Sequence, residues 1–328
     1  MKKILVILST LMIFFIGLLS YSFAARKPLV SNFGTDTTGT DQTKLNLSEG
    51  NVVLDTVTQN WRIYYTRIDG STTYFVYEPA IRVSVVVQGE VSFDTTNNSF
   101  IYKYSLSSLS NSTQKVAMLD MYNVTSSIKN VIFPMGWDKL FFEGDSDVFW
   151  YTNSEGLCPG SSTTGFQFES TYLPSVVSCW TKGVVPDYIF PDGEVEMAPD
   201  DEPNLDGDSV RGETIGPKVF PEPISSINTA TTFINTIIWY TDECYTQGWM
   251  ESTKARNKYK RLLQDCRTAL TKHNYNIVKN KLQHLIDTAE TDFAKQCILS
   301  EAYALIKYNA QYLKNQLSNI DWSVKKWD

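Results

Sequence analysis

Along residues 52–188 large side chains recur in short runs where apolar and polar positions alternate; beyond residue 224 they recur every third and fourth position instead. The first period belongs to half-buried strands and the second to helices with one apolar face. WRIYYT and TTYFVY flank Asp69-Gly70, a pair suited to a tight hairpin turn. IRVSVVVQGEVSF and FIYKYSLSSL follow around a turn at 94–99, and VAMLDMYNV, KLFFEG, DVFWYT, TGFQFES and SVVSCWTKG add further strands. Many short strands with no helix between them predict an all-β antiparallel sandwich over 25–190, of which 25–50 is too poor in large apolar residues to be more than an irregular arm.

Four apolar stripes then follow one another. They are Ile227 to Ile238, Tyr259 to Leu270, Ile277 to Phe293 and Ala302 to Leu317, each on helical spacing. Short connections between them predict an all-α up-and-down four-helix bundle over 224–328, with Ser252, Asn274 and Ser300 placed as N-caps.

Between the two patterns, 191–223 reads PDGEVEMAPDDEPNLDGDSVRGETIGPKVFPEP, with ten acidic residues against one Arg and one Lys. That excess is larger than the chain's net charge of −7, so the rest nearly balances. Such a stretch predicts a solvated, proline-stiffened linker, and its later part, SVRGETIGP, offers an edge strand to the sandwich. Glu202, Asn204, Asp206, Asp208 and Glu213 also stand at positions 1, 3, 5, 7 and 12 of a calcium-loop template with Gly207 at the bend. Alternating oxygen donors closed by a Glu suit a hard cation, which makes calcium the one cofactor the spacing suggests. Against it, Pro203 stiffens position 2 and the flanking prolines deny the loop its helices.

The first 24 residues set Lys2 and Lys3 ahead of an apolar run from Ile4 to Leu19, then Ser22-Phe23-Ala24. This is the layout of a cleavable signal peptide cut after Ala24, and predicts a secreted, periplasmic or cell-surface protein with no membrane span after cleavage. Export permits disulfides among the five cysteines. In an alternating bundle the first and third connections share one end, which predicts Cys244 paired with Cys297 and leaves Cys266 as a buried free thiol. Cys158 then pairs with Cys179 in the sandwich; five reduced thiols are the alternative.

Catalytic equipment is sparse. There are two histidines, His273 and His284, neither with a second His or a Cys at ligand spacing, and no glycine-rich phosphate loop. The helical region carries 14 basic and 10 acidic residues, interspersed along its length, which argues against a nucleic-acid surface. None of the 16 acids between Arg26 and Phe190 is marked as a glycosidase pair. The expectation is therefore a non-enzymatic interaction or structural protein whose partner is an envelope protein or a glycan. Trp61, Trp137, Trp150 and Trp180 are core anchors, or, if exposed in a row, rings that stack on sugars. A carbohydrate-binding sandwich is the first alternative and a polysaccharide-active hydrolase the second.

Two stretches also resemble known architectures. GEVSFDTTNNSFIYKYSLSSLSNSTQ, FPMGW and CPGSSTTGFQFESTYLP resemble a secreted bacterial β-sandwich with a tyrosine-rich strand pair and a Gly-Trp corner. Gly248-Trp249-Met250, YKRLLQDCRTALTKHNYNIVKNKLQHLI and SEAYALIKYNAQYL resemble the FIMAH-like helical module at the C-terminal end of exported bacterial surface proteins, with Leu285-Ile286 standing where that module has Phe-Ile. The resemblance implies an attachment or interaction element with no catalytic residues.

Overall fold

The structure is a computed structural model, and it describes residues 30–31, 52–66, 71–122, 124, 127–142, 144–152, 155–185, 209–220 and 223–322. The signal peptide expected over 1–24 lies outside the described residues, and no helix among those described is long and apolar enough to cross a membrane.

Antiparallel sheets come first and four helices follow. The strands are β1 (Val30–Ser31), β2 (Val52–Leu54), β3 (Trp61–Thr66), β4 (Thr72–Tyr77), β5 (Val85–Asp94), β6 (Ser99–Ser108), β7 (Val116–Tyr122), β8 (Lys129–Ile132), β9 (Asp138–Leu140), β10 (Val148–Tyr151), β11 (Ser162–Ser170), β12 (Pro174–Gly183) and β13 (Val210–Pro217). A six-stranded sheet has the order β1-β13-β12-β7-β10-β9, a four-stranded one β5-β6-β11-β8, and β2-β3-β4 form a small third sheet. The two hairpins expected from sequence are paired, β3 with β4 as far as Thr66–Thr72 and β5 with β6 as far as Asp94–Ser99, while Asp69-Gly70 lies outside the described residues. In the second turn Asp94 Oδ1 accepts the Thr96 N–H at 2.8 Å.

Alternation decides which side chains go inside. Tyr102, Tyr104 and Leu106 of β6 and Phe166 and Phe168 of β11 are buried, as are Leu119 and Met121 of β7, Trp150 of β10 and Cys179 of β12. Trp150 lies 5.4 Å from the Phe166 ring and 6.1 Å from that of Phe168, nearly parallel to the latter, and its Nε1 donates to the Ile132 carbonyl at 3.0 Å. A buried indole needs such a partner for its one donor.

The helices are α1 (Ile227–Thr246), α2 (Thr253–Thr271), α3 (Tyr275–Ala294) and α4 (Ser300–Gln316). Consecutive helices pack together and α1 packs on α4, so the four close a ring. The α1–α2 and α3–α4 connections meet: Met250 bridges Ile298, and the Leu299 N–H donates to the Trp249 carbonyl at 2.9 Å. Ser252 and Asn274 cap α2 and α3 through their side chains. Ser300 does not cap α4. The N-cap is Leu299, and the Ser300 hydroxyl instead donates to Glu301 Oε2 at 3.1 Å.

The end of the linker, SVRGETIGP, is β13, the strand expected from sequence: it pairs along its whole length with β12, and β1 covers only Val210 and Arg211 on its other side. Helices and sheets also share one hydrophobic cluster rather than standing apart as two modules. α4 lies along β5, the end strand of the four-stranded sheet. Glu301, fully buried, accepts the Gly89 N–H at 3.0 Å, and the Tyr308 hydroxyl donates to the Val91 carbonyl at 3.3 Å. The outward groups of an edge strand are thus taken up by a helix, one of the ways a sheet edge is protected. Gly89 is required there because a Cβ would stand 2.5 Å from Ile215 Cγ1. Asn309 Nδ2 donates to the Pro174 carbonyl at 2.9 Å and the Tyr240 hydroxyl to Ser175 Oγ at 2.9 Å, fixing two helices on the start of β12.

Candidate functional site

The helices pack on β5 and on the β12–β13 end of the sheets, and among the described residues two adjoining surfaces stand apart from those contacts. The first is the outward face of the six-stranded sheet. Register places Arg211, Trp180, Asp120, Phe149 and Leu140 in one row across β13, β12, β7, β10 and β9. Strand alternation puts this row on the face opposite Cys179, Leu119 and Trp150. Tyr122 and Met118 flank Asp120 along β7, with Tyr151 and Lys182 in the same row as Met118.

Two ring pairs border Asp120. Tyr122 stacks on Trp180 with centroids 5.1 Å apart and planes 24° from parallel. Phe149 and Tyr151 stand 5.6 Å apart on the other side. The Arg211 guanidinium lies 4.0 Å from the Trp180 centroid. Because β13 and β7 are on opposite sides of β12, Arg211 and Tyr122 approach the indole from opposite directions.

Asp120 therefore lies between two aromatic ring pairs. Burial pushes its carboxyl up to about 6, Asp147 adds to the rise, and Lys182 opposes it. Its Oδ1 is buried without a hydrogen-bond partner, and so is Arg211 Nε. Lys182 does not come within ion-pair distance of Asp120. A carboxyl raised on folding binds its proton more tightly in the folded than in the unfolded state, so it costs stability as pH rises from about 4, its unfolded range, through the folded value of about 6. Asp120→Asn is accordingly expected to melt a few degrees above the native protein at pH 8, about 1 kcal/mol or more. The two melting curves converge near pH 4, and calorimetric scans at the two pH values check this; an equal gap at both would show that the carboxyl charge is not the cause.

The second open surface is the corner between β8 and β9, the end strands of their respective sheets. Met135 is fully exposed, Phe142 65% exposed and Leu140 54%, and Ile132 and Phe133 are exposed beside them. Leu140 belongs to the Asp120 row, so the two surfaces are continuous.

Several expected sites are not assembled. Glu202, Asn204, Asp206 and Asp208 lie outside the described residues. Glu213, the closing donor of the calcium template, is in β13, where its carboxylate accepts Gln247 Nε2 at 2.8 Å and is raised first by burial and then by Glu243. Among the described residues no group of three or more His, Cys, Asp or Glu is placed to hold a metal.

The three of these tryptophans whose side chains are described do not form an exposed row. Trp150 is buried, Trp137 is half-buried edge-on to Phe166 at 4.9 Å, and Trp180 is held between Arg211 and Tyr122. The Trp61 side chain is outside the described residues.

All five cysteines are thiols, which corrects both expected disulfides. Cys158 is exposed at a turn while Cys179 is buried inside the six-stranded sheet; Cys244 is buried in the last turn of α1 while Cys297 is exposed beyond α3. In each pair one thiol faces inward and the other outward. Cys266 is buried, and burial pushes its thiol up to about 12, which leaves it unreactive.

Sequence reasoning did not single out Asp120, Tyr122, Phe149 or Arg211. The available signal was small: one charged residue amid the apolar VAMLDMY. No family model matches the chain, and neither a curated protein nor a solved structure matches it at a significant level.

Proposed function

We propose that the chain is an exported, non-enzymatic interaction protein of the cell surface or periplasm, a β-sandwich whose one side is closed by an up-and-down four-helix bundle. The observation that carries this reading is the exposed apolar corner of Ile132, Phe133, Met135, Leu140 and Phe142, continuous with the aromatic face around Asp120. Clustered large apolar side chains on a soluble surface are the usual mark of a contact with another molecule. Their position on the side away from the helices lets the helical unit and the corner act independently, one as support or attachment and the other as contact. An envelope protein is favoured over a glycan, because the indoles of Trp150 and Trp180 have no free face for a sugar.

The test is a tagged full-length chain carrying a photoreactive residue in place of Met135, crosslinked in intact cells. One defined envelope protein is expected in the crosslink, and Phe142→Ser is expected to reduce its yield at least about tenfold, since a central apolar anchor commonly carries more than 1.4 kcal/mol of binding. Crosslinking to no component of the envelope, with the protein correctly exported, would sink the reading.

A further inference from the structure

Taking the apolar corner as the contact surface proposed above, we infer that its partner presents a cationic amphipathic helix, whose apolar side chains seat around Met135 and Phe142 and whose Lys or Arg groups pair with Asp138 and Asp145. Two turns hold the apolar side chains out. In the first, the Trp137 N–H donates to the Pro134 carbonyl at 3.1 Å, Gly136 supplies the positive φ of 84°, and Met135 stands at the tip. Trp137 anchors this turn by packing edge-on against Phe166 at 4.9 Å. In the second, the Asp145 N–H donates to the Phe142 carbonyl at 3.0 Å, and Asp145 Oδ2 accepts the Phe142 N–H at 3.0 Å. Apolar side chains carried on hydrogen-bonded turns are ordered before a partner arrives, so less conformational entropy is lost on binding.

The strand edges beside them are already occupied. The Lys139 N–H of β9 donates to Asp138 Oδ1 at 2.8 Å, and Lys139 Nζ donates to the Val131 carbonyl of β8 at 2.8 Å. An extended partner joining the corner as a further strand would have to displace these bonds. A helix makes no such demand, because its backbone groups are satisfied internally and its side chains make the contact.

The charges around the corner give the sign of the partner. Asp138 and Asp145 are exposed, and Asp147 is half-buried two residues beyond Asp145. Of the lysines on β8 and β9, Lys139 is tied to the Val131 carbonyl and Lys129 is the cross-strand partner of Glu169. The chain as a whole carries a net charge of −7. A second copy presenting the same corner, or an anionic bilayer, would bring like charges together. A helix with apolar and basic residues three and four positions apart meets the exposed rings and the carboxylates on one face.

Fluorescence anisotropy with the full-length protein and three labelled peptides of about 18 residues tests this at about 0.15 M salt. The first peptide sets Leu and Lys at helical spacing, the second has Glu in place of every Lys, and the third keeps the first composition in an order that has no apolar face. The first is expected to bind at least about tenfold more tightly than either of the others. Asp138→Asn and Asp145→Asn together keep an acceptor oxygen for each turn, and should weaken the first peptide about threefold or more, as two exposed ion pairs allow. Phe142→Ser should weaken it at least about tenfold. Equal binding of the three peptides, or unchanged affinity in the double Asn variant, would overturn the inference. So would dimerisation in sedimentation, or binding to phosphatidylglycerol vesicles, that Phe142→Ser abolishes, since either gives the corner to another occupant. Capture of one envelope protein at Met135 without any preference among the peptides would remove the cationic helix and leave the contact surface standing. Preference for the first peptide without capture in cells would remove the envelope assignment alone.

Discussion

Trp150→Ala is expected to lose about 3 to 5 kcal/mol of stability, enough to leave the chain largely unfolded at 37 °C if its reserve is ordinary. The indole is fully buried and touches Tyr104, Phe166 and Phe168, so its removal opens a cavity that β6 and β11 would have to collapse to fill. It also strips the Ile132 carbonyl of its donor. Trp150→Phe should cost clearly less, because most of the apolar contact survives. Urea unfolding followed by circular dichroism measures both, and a loss under about 1 kcal/mol for the alanine variant would mean that the aromatic cluster is not the centre of the core.

Glu301→Ala tests the other large term. The carboxylate is fully buried on α4 and accepts the N–H of Gly89 on the end strand β5. Without it that N–H is stranded under the helix, at a cost of about 2 to 3 kcal/mol, and the sheet edge is loosened towards intermolecular pairing. Because helices and sheets share one hydrophobic cluster, the expected outcome is a single, coincident transition for helical ellipticity and tryptophan fluorescence, shifted to lower temperature, with more aggregation on heating. Two separated transitions in the native protein would contradict the shared core. A Glu301→Ala variant with unchanged melting would show that α4 does not depend on this bond.

The candidate site was less legible than the fold. Asp120 stands in VAMLDMY as one polar residue in an apolar strand, a pattern shared by any half-buried strand. What sets it apart is that Trp180 and Phe149, distant in the sequence, become its neighbours on either side through register. The cysteine pairing failed for a related reason. Bundle topology brought the Cys244 and Cys297 connections to one end as expected, as the Met250–Ile298 bridge shows, yet topology does not say which way a side chain points.

The sequence by itself determined the elements: strands from a period of two, helices from a period near 3.6, the turn at Asp94, and caps at Ser252 and Asn274. These are local choices, made within a few residues, and burial of one face enforces them. Only the tertiary structure decided that β13 takes its place beside β12 and that α4 covers β5. The Glu301–Gly89 bond joins residues 212 positions apart, and contacts at that separation are selected by which exposed edge and which apolar stripe fit each other in space. No periodicity along the chain records that fit.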